Sequence, residues 1–198
     1  MEKRLRQGTD TSEKLLLAAI DLISQQGYDG TTTKEIAEKA GVSEVTLFRH
    51  FGSKQGLLIA AFEKYHYAGE MTKLFEERLT WDVKTDLLLI ARTYHSIMNR
   101  NRKLLEIAKR GGSGLPDEVY KQVSKHPVQF KKLLTGYFRT LRKQGKIAAV
   151  DPEMTALSFM WMNYGAFNSN LLETSHSAVT LDLFIEHSVD LFARALQP

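Results

Sequence analysis

The chain has no cysteine among its 198 residues. That excludes disulfides, thiolate zinc sites and cysteine-held iron–sulfur clusters, and suits a reducing compartment. Long apolar runs are missing too: LLLAAI and LLLIA fall far short of the roughly 20 residues a membrane-spanning helix needs. The opening stretch MEKRLRQGTDTSEK carries no apolar signal core, so a cytoplasmic protein with no membrane partner is expected. No HExxH occurs, no histidine pair stands at i and i+4, and no carboxylate set has ligand spacing, so no metal or other cofactor is expected. There is no nucleophile elbow, and GGSGLP lacks the Gly-Lys-Ser/Thr of a phosphate cradle, so the chain does not read as an enzyme. No run of alternating β-branched residues predicts a strand, and no repeat or low-complexity tract interrupts the chain.

What is present is concentrated in TTTKEIAEKAGVSEVTLFRHFGSK, residues 31–54. Thr32 and Glu35 have the spacing of a capping box at a helix start. Ile36 supplies a core face, Ala37 is small enough for a close helix crossing, and Gly41 falls where a helix end needs positive φ. Val42 fills the corner and Ser43 caps a second helix. At about 100° per residue, Leu47 and Phe51 share the inward face of that helix. Val45, Thr46 and Arg49 point the other way, flanked by Glu44, Phe48 and His50. Such a helix, held across another at a glycine turn, is suited to the DNA major groove. There Arg49 can grip a guanine edge, Val45 a thymine methyl, and Thr46 a base or phosphate.

From about Thr11 to Leu58 the chain resembles the DNA-binding domain of the tetracycline-repressor (TetR) family. The resemblance rests on KLLLAAIDLISQQGYDGTT, then IAEKAGVS, then TLFRHFGSKQGLL. It implies phosphate contacts from Lys54 and from residues around Thr32 and Ser43. Phe48 stands where the family often has a tyrosine and has no hydroxyl to donate. Val45 stands where small residues are common, which favours a direct base contact. With Thr33, Glu44, Thr46, Arg49 and His50, these residues form the candidate DNA-contacting set.

The charge is unevenly spread. Residues 1–56 carry eight basic and eight acidic side chains, so binding there must come from placed contacts and not bulk charge. Lys3, Arg4 and Arg6 make a short basic arm. Residues 99–146 carry thirteen basic and three acidic side chains. Within VQFKKLLTGYFRTLRKQ, Lys131, Lys132, Arg139, Arg142 and Lys143 lie opposite an apolar face, as a solvated face should. Arg100, Arg102, Lys103, Lys109 and Arg110 lack that pattern and are candidates for an acidic ligand.

The rest reads as helices: a long connecting helix over LLIAAFEKYHYAGEMTKLFEERL, then segments near 83–99, 102–109, 127–144, 152–172 and 179–196. The expected fold is all-α, with roughly nine helices in total. A three-helix helix-turn-helix domain (1–56) would precede a larger helical effector-binding and dimerisation domain (57–198). The last two helices are apolar on more than one face. Phe159, Trp161, Met162 and Phe167, with Leu181, Phe184, Ser188, Leu191 and Phe192, are the expected interface of a homodimer. The TetR resemblance likewise implies a four-helix dimer bundle there. It further implies a small-molecule effector among the middle helices that alters the spacing of two heads. Candidate lining residues are Phe62, Tyr65 and His66, then Tyr94, His95 and Met98, then Phe130, Leu134 and Tyr137, a set suited to a largely apolar effector.

The expected function is a ligand-responsive transcriptional repressor that binds a palindromic double-stranded DNA operator as a homodimer. An architectural or cell-cycle DNA-binding protein on the same scaffold, without an effector, is the alternative.

Overall fold

The structure, a computed structural model, describes residues 2–65, 68–110, 114–169 and 179–198, with side chains at all of these but 2–10 and 68. His66, expected in the ligand site, lies outside the described residues, as do residues 111–113 and 170–178. The described residues are helical, with no strand. In chain order the helices are α1 (Glu2–Gln26), α2 (Thr33–Ala40), α3 (Glu44–Phe51), α4 (Lys54–Tyr65), α5 (Ala68–Glu77), α6 (Val83–Arg100), α7 (Arg102–Arg110), α8 (Asp117–Lys143), α9 (Pro152–Asn168) and α10 (Leu181–Ala195). None is long and apolar enough to cross a membrane.

Two expectations shift. The connecting helix expected over residues 57–79 is described as α4 and α5, with residues 66 and 67 between them outside the described residues. The helix expected to begin at Pro127 begins ten residues earlier, at Asp117, and carries Pro127 inside it. An internal proline removes one backbone hydrogen bond and costs about 3 kcal/mol. Buried positions nevertheless recur every three or four residues on both sides of it, at Val119, Gln122, His126, Phe130, Leu134 and Phe138. That continuous face outweighs the local break.

The chain forms two compact units: Met1–His66 with Asn101–Lys125, and Tyr67–Arg100 with His126–Pro198. The first unit therefore holds the expected 1–56 head but extends past it. Its core joins Leu15, Ala19 and Ile23 of α1 to Ile36 and Ala37 of α2, Leu47 of α3 and Leu57, Leu58 and Phe62 of α4. Leu104 and Ile107 of α7 and Val119 of α8 close the same cluster. Charges reinforce it: Asp21 of α1 pairs with both Lys39 of α2 and Lys103 of α7, and Arg110 donates to the Ser24 carbonyl at 3.1 Å.

In the second unit α6 packs along α10. Arg92 bridges Asp182 (2.9 Å) and Glu186 (2.7 Å), and Lys84 reaches Asp190 at 2.5 Å. At the start of α6 the fully buried Asp86 carboxylate accepts from the Thr80 and Trp81 amides and the Thr80 hydroxyl, each at 2.8 Å, and from the Tyr137 hydroxyl at 3.0 Å. Four hydrogen bonds offset the desolvation of that charge. They also hold Trp81 at φ 64°, a left-handed conformation rare for a bulky residue.

Candidate nucleic-acid interface

The turn between α2 and α3 is built as its residues require. Thr32 and Glu35 close a full capping box: the Glu35 amide donates to Thr32 Oγ1 at 3.2 Å, and the Thr32 amide donates to Glu35 Oε2 at 2.8 Å. Hydrogen bonds to the Glu35 carboxylate from the Thr32 hydroxyl and then from the Thr32 amide favour its ionised form and hold it below the usual carboxylate range. Gly41 sits at φ 69°, ψ 35°, while its amide reaches the Glu38 carbonyl and the Val42 amide reaches the Ala37 carbonyl, both at 3.0 Å. A side chain at Gly41 would be strained there, so the sharp turn depends on glycine. Ser43 then caps α3 through the Thr46 amide.

Leu47 is fully buried and Phe51 packs partly against the same core, which fixes the roll of α3. With those two inward, Val45 is 75% exposed and Phe48 46% exposed, and Arg49 and His50 also face out. Thr46 is only half-exposed, and its hydroxyl lies 2.9 Å from Ser43 Oγ. Glu44 is drawn back to α2, accepting from the Thr33 hydroxyl at 2.5 Å. Thr32, likewise exposed, has its hydroxyl engaged by Glu35 at 2.7 Å.

Lys54 is more deeply tied than its sequence position suggests. Its ammonium donates to the Tyr28 carbonyl at 2.5 Å and the Thr31 carbonyl at 2.8 Å, and lies 4.1 Å from the centroid of the Tyr28 ring. Burial lowers its pKa, and the nearby Asp29 charge opposes that shift. One of its three N–H donors remains beyond those two bonds. Tyr28 had no role in the sequence reading; an aromatic shortly before the Thr31–Thr33 run was its only signal.

The expected effector residues divide between the two units. Phe62 belongs to the core of the first, where the Tyr65 hydroxyl bonds Glu13. In the second, Tyr94 stacks on Phe130 with ring centroids 5.4 Å apart, and Met98 and Leu134 are buried. The buried His95 places Nε2 3.2 Å from Asn163 Oδ1, and Asn163 in turn donates to the Phe159 carbonyl at 2.9 Å. Among the described residues His95 Nδ1 has no hydrogen-bond partner. Burial lowers the His95 pKa, more than the Asn163 bond raises it, so the ring is neutral near pH 7. Tyr137 is held by Asp86 and stacks on Trp81 at 5.7 Å; burial first, then the Asp86 charge, raises its pKa and keeps the phenol protonated. Asp86, Trp81 and Asn163 went unnoticed in the sequence. Their signal was a polar residue at core spacing: Asp86 lies four residues before Ile90, and Asn163 four after Phe159.

The expected acidic-ligand cations have protein partners: Arg100 reaches Glu70 at 2.6 Å, while Lys103 and Arg110 hold α7 to α1. Among the described residues no cluster of three or more acidic, histidine or cysteine side chains could hold a metal ion.

Of the expected interface residues, Phe159 is fully buried against Phe192 of its own chain and Phe167 is nearly so. Met162, Leu181, Phe184, Ser188 and Phe192 are half-buried. Trp161 is 64% and Leu191 70% exposed, joined on the surface by Met154, Tyr164 and Leu183.

Residues 15–61 match the family model for bacterial regulatory proteins of the tetR family. YvkB of Bacillus subtilis (strain 168), an uncharacterized HTH-type transcriptional regulator, is 33% identical over 187 residues, spanning 94% of this chain and 97% of that protein. Two solved structures share the fold at about one-fifth identity. FadR from Bacillus subtilis in complex with stearoyl-CoA matches with a TM-score of 0.71 and 19% identity, over 93% of this chain and 99% of that one. AibR in complex with isovaleryl coenzyme A and operator DNA matches with a TM-score of 0.67 and 20% identity, over 91% and 97%.

Proposed function

Since this chain belongs to the tetR family of bacterial regulatory proteins and is a helix-turn-helix transcriptional regulator, we propose that it is a cytoplasmic, ligand-responsive repressor. It binds a palindromic operator as a homodimer and is released by a small-molecule effector. The observation that carries the reading is α3, whose outer face is free while its inner face is locked into the first unit by Leu47 and Phe51. Arg49 supplies bidentate base contact. Thr32 and Ser43, exposed at the starts of α2 and α3, contact phosphate by exchanging their partners Glu35 and Thr46 for it, and Lys54 does so through its remaining N–H donor.

The surface of the second unit supports dimerisation. Trp161 and Met154 of α9 and Leu191 and Leu183 of α10 are large apolar side chains left exposed. A twofold partner covers them and sets two copies of α3 about 34 Å apart, one turn of B-DNA, or a multiple of that. An effector that favours another spacing by a few kcal/mol releases the operator. Tyr94, His95, Met98, Phe130 and Leu134 are the residues of the second unit proposed to line its site. The acyl-CoAs bound by FadR and AibR make that class the first panel to screen.

The test is enrichment of a binding sequence from a randomised duplex pool with the full-length chain, followed by gel retardation and light scattering. An enriched inverted repeat bound by two chains supports the proposal. Failure to enrich any sequence, or a monomer on a single half-site, overturns it. An acyl-CoA that raises the melting temperature while lowering operator affinity identifies the effector class.

A further inference from the structure

The start of α3 is polar in sequence, yet most of its polar groups are engaged within the head. Ser43 and Thr46 face each other at 2.9 Å, and Glu44 is held by Thr33 at 2.5 Å. What remains outward is Val45 and Phe48, with Arg49 and His50 beside them. Phe48 follows Val45 by three residues and Arg49 follows it by four, so on a helix the three side chains form one contiguous patch.

The apolar pair of that patch, Val45 and Phe48, is unsuited to water and to phosphate. A β-branched valine gains nothing for the helix from exposure. Phenylalanine has no donor for a phosphate or a base edge. Within the major groove the one apolar feature a base pair offers is the C5 methyl of thymine, and apolar side chains are its recognised complement.

We infer that Val45 and Phe48 form a methyl-reading surface: each operator half-site sets thymine C5 methyls against them, and Arg49 supplies the polar readout beside it. The inference rests on the operator-binding reading above, and adds to it which base feature dominates selection. Half-site preference then comes from apolar contact together with a single guanidinium.

The experiment starts from the enriched duplex. Each thymine of a half-site is replaced in turn by deoxyuridine, which removes the C5 methyl and leaves every hydrogen-bonding group in place. At least one replacement is expected to weaken the full-length protein roughly three- to tenfold. Val45→Ala or Phe48→Ala is expected to bind that uracil duplex and its thymine parent alike. Both positions are exposed, and unchanged thermal melting verifies that the variants fold. Equal wild-type affinity for all uracil and thymine duplexes, an enriched half-site without thymine, or variants that still discriminate, each overturns the methyl reading while leaving operator binding intact. Failure to enrich any duplex removes both readings together.

Discussion

Arg49 stands exposed on α3, four residues after Val45. A guanidinium in that position is free to take both acceptors of a guanine edge. Arg49→Ala is expected to cost about 1–3 kcal/mol of operator affinity and to broaden base preference at one position. Filter binding to the enriched duplex and to its single-base variants would read both effects. A uniform loss across all sequences would instead assign Arg49 to a phosphate. Asp21 is the other residue whose environment predicts behaviour. Hydrogen bonds from Lys103 and then Lys39 lower its pKa from 3.8 to about 2. A carboxylate depressed in the folded state stabilises above its unfolded pKa, and that contribution is lost as pH falls through the folded value. Asp21→Asn is therefore expected to be less stable near pH 7, with the gap to wild type narrowing between about pH 4 and pH 2. Melting curves across that range provide the check.

Helices α2 and α3 owe their junction to local chemistry: a capping box, a left-handed glycine and a serine cap within a dozen residues. That is why the sequence foretold them closely. The α5–α6 turn was not foreseen, because its organiser is Asp86, an acid at a core position that binds a turn before it and a tyrosine fifty-one residues after it. Asp86→Ala would leave two amides, the Thr80 hydroxyl and a phenol without their acceptor and release Trp81 from its left-handed conformation. A loss of about 3 kcal/mol or more is expected. Chemical denaturation would show it as a lowered midpoint with an unchanged slope. A loss below 1 kcal/mol would mean that water replaces the carboxylate. The extended α8 teaches the same point from the other side: Pro127 suggested a helix start, but buried residues on both sides of it carried the helix through.

For the assembled protein the exposed apolar residues of α9 and α10 set the expectation. A charge at the most exposed of them, Leu191→Glu, is expected to halve the mass measured by light scattering at micromolar concentration. Operator affinity should fall at least tenfold with it, because each head then binds alone. The fold of the single chain should survive, as Leu191 is 70% exposed and outside the core. A dimer that persists would place the interface elsewhere. Phe159 and Phe167 illustrate what the pattern of apolar residues could not separate. Both look like interface residues by type and spacing, yet both are buried in their own chain.

Helicity, the helix-turn-helix and the inward Leu47 were legible in the sequence, because caps, glycine turns and a 3.6-residue period act between near neighbours. The family followed from those fixed spacings. Long-range partners were not legible. That Lys54 is clasped by the carbonyls of Tyr28 and Thr31, that Lys103 pairs with Asp21, and that Glu44 accepts from Thr33 of α2 are facts of three-dimensional proximity. Spacing along one helix decides which way a side chain points. Only packing between helices decides whether another group is there to meet it.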